Sequence, residues 1–74
     1  MNPGGTILIF KTNASNKLQI ETLRSVFDNK NSVIEWSIDM EDVDRVLRIV
    51  CTDGSAEDYI REIRQKGLDC EELP

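Results

Sequence analysis

Apolar residues along this chain switch between a period of two and a period near 3.6, and the order of those switches leaves few folds open. Residues 6–12 (Thr6-Ile7-Leu8-Ile9-Phe10-Lys11-Thr12) are apolar, β-branched and aromatic over a strand length, which predicts a central strand. A polar break at 13–16 offers several candidate N-caps. Leu18, Ile20, Leu23 and Phe27 then recur at helical spacing, with Lys17, Glu21, Arg24 and Asp28 between them. This predicts an amphipathic helix that ends in Asn29-Lys30-Asn31. From there the period returns to two. Ile34, Trp36, Ile38 and Met40 alternate with Glu35, Ser37 and Asp39, predicting a second strand over 33–40 with one face buried.

An acidic turn at 41–44 leads to a third strand over 45–52, with Leu47, Ile49 and Cys51 on one face and Val46, Arg48 and Val50 on the other. Asp53-Gly54 turns the chain again. Ser55-Ala56-Glu57-Asp58 has the pattern of a capping box, with Asp in place of the usual Glu or Gln. Ala56, Ile60 and Ile63 mark a second helical stripe, and Gly67 stands where a left-handed residue ends a helix. Leu68-Asp69-Cys70 predicts a short fourth strand, and the polar tail 71–74 carries no assignment.

The resulting order, β-α-β-β-α-β, predicts an α+β fold: a ferredoxin-like two-layer sandwich of one antiparallel four-stranded sheet with both helices on one face. The expected sheet has the fourth strand beside the first, the third on the first strand's other side, and the second at an edge. Seventy-four residues allow one domain, 1–74, with an ordered core expected over about 6–70. A chain this short buries only about 60% of its unfolded surface, so its 39% hydrophobic content must be placed efficiently.

Charge narrows the function. Nine basic residues against fourteen acidic ones give a net charge of −5. Nucleic-acid binding draws most of its affinity from neutralised phosphates, so neither nucleic acid nor an anionic membrane surface is an expected partner. The first five residues carry no positive charge, and only Ile7 to Phe10 follow as an apolar run, too short for a signal peptide or a membrane span. A cytoplasmic protein is expected. The chain has no histidine, no Ser-His or Cys-His pair and no Gly-rich phosphate loop, so no enzymatic activity is expected. The acidic residues at 39, 41, 42 and 44 lack the central Gly and terminal Glu of an EF-hand loop, which makes a solvated hairpin tip the expectation.

These elements resemble heavy-metal-associated domains, found in copper chaperones and at the N-termini of metal-transporting ATPases. Phe10-Lys11-Thr12-Asn13 is similar to the strand end before the metal loop in some bacterial members. Ile20, Leu23 and Phe27 fall where the family packs its first helix; Val33, Trp36/Ile38 and Arg45-Val46-Leu47 fit its second and third strands, and Gly67-Leu68 its Gly-aromatic pair. The resemblance spans roughly residues 6–70 and implies a Cys-x-x-Cys at the start of the first helix. Aligned without gaps from Ile20 through Val33, those positions hold Asn16 and Gln19; another register puts Asn13 and Asn16 there. Soft Cu(I) selects sulfur, and zinc prefers thiolate, imidazole or carboxylate, so a neutral amide pair is a poor site for either. No cofactor and no metal carriage are expected. The family's aromatic position beside the metal loop is Leu68 in this chain.

Cys51 and Cys70 are expected on strands flanking the first, facing the helices as small apolar residues. At equal height, strands ~4.8 Å apart set them ~10 Å from each other. That exceeds the roughly 7 Å Cα limit for a disulfide. Ile7 and Ile9 should point away from the helices, beside Val46 and Val50, forming an apolar patch on the open sheet face partly covered by Arg48 and Lys11. A protein contact is thus the leading expectation, to another protein or a second copy, through this face or the edge second strand. Two alternatives stand beside it: copper or zinc binding completed by partner-supplied ligands, and a small-ligand regulatory module similar to ACT domains. The latter would hold an anion with the 13–16 loop and helix N-terminus.

Overall fold

A computed structural model describes residues 5–73. Its elements follow the expected order: β1 (Thr6–Thr12), α1 (Lys17–Asp28), β2 (Val33–Asp39), β3 (Val46–Cys51), α2 (Ala56–Gln65) and β4 (Cys70–Glu72). The strands form one antiparallel sheet in the order β2-β3-β1-β4, the ferredoxin-like arrangement. Among the described residues no helix is long and apolar enough to cross a membrane.

Alternation on β1 and β3 puts Phe10, Leu47, Ile49 and Cys51 on the helix face, where they are fully buried. Leu23, Val26 and Phe27 of α1 and Tyr59 and Ile63 of α2 close the core over them. α1 lies against β2 and α2 against β4. Phe27 links the layers, its ring 5.1 Å from Trp36 and 6.3 Å from Tyr59. Two residues depart from the stripes read in the sequence, Leu18 placed in one and Tyr59 left out of both. Leu18 is 77% exposed, because it stands in the first turn of α1 outside the stripe of Leu23, Val26 and Phe27. Tyr59 is buried although phenolic, because its hydroxyl donates to the Asp53 carbonyl at 3.0 Å and meets Ser32 Oγ at 3.4 Å. A buried phenol with partners costs little.

Helix α2 is capped at both ends as its sequence predicts. Ser55 Oγ accepts from the Asp58 N–H at 3.3 Å, and Asp58 Oδ2 accepts from the Ser55 N–H at 3.4 Å. At the other end Gly67 has φ +90°, Gly67 N–H donates to Arg64 O at 3.0 Å and Leu68 N–H to Ile63 O at 3.4 Å. This is a Schellman closure, and its apolar contact joins Leu68 to Ile63 in the core.

That closure corrects the fourth strand. Leu68 belongs to the helix stop, so β4 begins at Cys70 and takes in Glu71 and Glu72, part of the unassigned tail. The second strand also departs from simple alternation. Val33 pairs with Cys51 but Glu35 pairs with Val50, so Ile34 is the extra residue of a β-bulge. The bulge leaves Val33 with Trp36 and Ile38 against the core, while Ile34 is 57% exposed. Met40 lies beyond the strand.

Candidate functional site

Two places follow from the sequence: the junction of β1 with α1, and the open face of the sheet. At the junction, Asn16 is the N-cap of α1. Its backbone is extended (φ −141°, ψ 171°) and its Oδ1 accepts from the Gln19 N–H at 2.9 Å. Gln19 reaches back the other way, its Oε1 accepting from Ser15 N–H at 2.7 Å and Ser15 Oγ–H at 3.1 Å. The two amide oxygens at the positions where the resemblance would set a metal pair are therefore engaged at the helix start, Asn16 on an orphan donor of α1 and Gln19 on Ser15 ahead of the cap, the reciprocal logic of a capping box shifted by one residue.

The other register fares no differently. Asn13 Oδ1 accepts from Asp69 N–H at 2.9 Å and its Nδ2 donates to Asp69 Oδ2 at 3.3 Å, tying the loop to the α2–β4 connection. Thr12 is buried; its hydroxyl donates to Arg45 O at 2.8 Å and accepts from Ala14 N–H at 3.3 Å. Leu68, which the resemblance sets beside this loop, is a core residue at 4% exposure. These residues do not fit a soft metal: the donor set is neutral oxygen, already engaged.

The remaining candidates separate. Cys51 stands opposite Thr6 and Cys70 opposite Thr12, so the thiols lie at opposite ends of β1 rather than at equal height. Their separation along the strand is on the order of 20 Å, twice what equal height implied in total. Both are free and buried. Burial pushes the Cys70 thiol up to about 11, against a smaller opposing pull from the Arg64 guanidinium. The acidic hairpin is organised by its own backbone: Asp39 Oδ1 accepts from Glu41 N–H at 3.0 Å and Asp42 Oδ1 from Asp44 N–H at 2.8 Å. Among the described residues no three of Cys, Asp or Glu converge as metal ligands.

The open face is different in kind. Ile7 pairs directly with Val50 and Ile9 with Arg48 across β1 and β3, and none of the four is shielded by a helix. Ile7 is 60% exposed; Ile9, Val46 and Val50 are half-buried. Beside this block, β2 presents Glu35, Ser37 and Asp39, all exposed. On the other flank Glu71 pairs with Lys11, and Leu73 N–H donates to Ile9 O at 2.9 Å, carrying the backbone pairing one residue past β4. Lys11 Nζ leans to Asp44 at 3.8 Å, away from the centre of the face. Sequence reasoning located Ile7, Ile9, Val46 and Val50 but missed Glu71 and Leu73. The period-two step from Cys70 is the signal that could have placed Glu71 on this face.

Comparison with models of known protein families, with curated proteins and with solved structures finds no match to this chain.

Proposed function

We propose that this chain is a non-catalytic, cytoplasmic protein-contact module on a heavy-metal-associated-like frame, with the open sheet face as its contact surface. The observation that carries the reading is the group of Ile7, Ile9, Val46 and Val50 on the face away from the helices, where Ile7 stands directly opposite Val50, and Ile9 opposite Arg48, which lies between the two valines. Apolar side chains grouped this way gain most when a partner removes them from water, about 25 cal/mol per Å² of area buried. The junction supports the same reading from the other side, since the side-chain oxygens of Asn16 and Gln19 are already engaged by the Gln19 and Ser15 N–H groups.

The edge of β2 is the weaker route for a partner. Its bulge at Ile34 and its Glu35 and Asp39 are devices that discourage strand addition. The regulatory alternative loses support at its own loop, because Asn13 is committed to Asp69 and Asn16 to the helix cap.

The test is affinity isolation of the tagged full chain and of its Ile9→Glu variant from the native host, with circular dichroism to establish that both fold alike. A polypeptide retained in stoichiometric amount by the parent and lost from the variant is the expected result. Equal retention by both would mean that the contact lies elsewhere.

A further inference from the structure

Charge on the open face selects the occupant. The apolar block lies between two acidic flanks: Glu35 and Asp39 on β2, and Glu71 on β4. Arg48 stands between the flanks, and Lys11 is drawn toward Asp44. Two copies stacked face to face with aligned strands are related by a two-fold axis lying in the interface. An axis across the strands at the height of Ser37 and Arg48 lays β2 on a reversed β2, so Glu35 of one copy meets Asp39 of the other and Asp39 meets Glu35. An axis along the strands, centred between β3 and β1, lays β2 on β4, so Asp39, level with Val46 and Lys11, meets Glu71, while Glu35 stands level with Val50, beyond the reach of β4. Acid meets acid in both arrangements, and the chain's net charge of −5 adds a repulsion that every self-contact shares.

From this arrangement we infer that the face is built for a different protein, one that offers an apolar surface bordered on both sides by Lys or Arg, and not for a second copy. The inference rests on the contact-face reading above and refines it. Like-charge juxtaposition at a rim suppresses wrong partners, while opposite charge speeds the encounter with the right one. Screening by salt acts on that encounter, so binding should weaken as ionic strength rises.

The test uses the full chain and two synthetic β-hairpin probes, each with an Ile/Val face, one flanked by Lys and the other by Glu at the same positions. Sedimentation equilibrium gives the oligomeric state, and amide chemical shifts give the binding surface and affinity. The chain should sediment as a monomer. The Lys-flanked hairpin should shift the amides of Ile7, Ile9, Arg48 and Val50 and bind at least tenfold more tightly than the Glu-flanked one. The variant Glu35→Lys/Asp39→Asn should lose most of that preference; Asn at 39 keeps an oxygen for the Glu41 N–H. A parent dimer dispersed by Ile9→Glu would overturn this inference while leaving the contact face standing. Equal binding of both hairpins would also overturn it. If neither hairpin touched the face of a monomeric chain, the contact reading would fall with it.

Discussion

Replacing Asn16 by Ala separates a working helix cap from a vacated ligand position. Asn16 Oδ1 holds the Gln19 N–H at 2.9 Å, and no acidic residue in the first turn of α1 shares the load. Loss of an Asn cap to Ala typically costs about 1 kcal/mol, within a range of roughly 0.5–2. For a domain of this size that corresponds to a melting temperature lower by about 4–8 °C. Asn16→Ser should restore most of the loss, since a hydroxyl also caps. Asn16→Asp should equal or exceed the parent, because a carboxylate there meets the positive end of the helix for about 0.3–1 kcal/mol more. Chemical denaturation with a common m-value provides the assay, as only the midpoint should move. If Asn16→Ala and Asn16→Ser were both as stable as the parent, the cap would contribute nothing and the assignment of these amides to the helix would be wrong.

Further outcomes follow from the same geometry. Converting both positions, Asn16→Cys with Gln19→Cys, places two thiols one turn apart at a helix start, where side chains lie about 5–6 Å from each other. The double variant should be less stable than the parent without metal and gain stability with Zn(II) in reducing buffer, read as a metal-dependent rise in melting temperature. No rise would mean that the loop does not hold the two positions as the resemblance implies. Gly54→Ala should destabilise more than Gly67→Ala in urea titrations: both have positive φ, but an added Cβ at 54 meets the Tyr59 ring at 3.2 Å, whereas at 67 nothing lies within 4 Å. Cys70 should resist iodoacetamide near neutral pH, because its folded thiol titrates near 11. The sign for stability follows: between the ordinary value of 9.0 and about 11 the unfolded chain has released the proton and the folded chain has not, so this contribution is intact below 9 and declines as pH rises.

Much of the fold was legible because local and long-range signals agree. The order of periods set the element order, and Ser55, Asp58 and Gly67 marked both ends of α2 by side-chain chemistry alone. The open-face quartet was legible as well, since β1 and β3 are regular and their alternation needs no correction. What remained hidden depends on pairing. Ile34, Trp36 and Ile38 read as one face until the register with β3 reveals the bulge that ejects Ile34. Leu68 has the character of a strand residue, yet its backbone N–H is required by Ile63 to close the helix, which delays β4 to Cys70. The height of the two cysteines was hidden for the same reason, because it follows from which end of β1 the short β4 occupies. Asn16 and Gln19 were reached only as one of two registers for the ligand pair that the resemblance implies, and their mutual service at the helix start is a matter of side-chain direction that spacing does not specify.

Native mass spectrometry of the protein isolated without oxygen from its own host bears on the heart of the account. Amide oxygens turned inward on a helix end leave no purchase for a soft cation, so the mass should be that of the bare polypeptide, alone or with a second, basic-flanked protein. A stoichiometric copper or zinc ion that disappears in the Asn16→Ala/Gln19→Ala variant would contradict it.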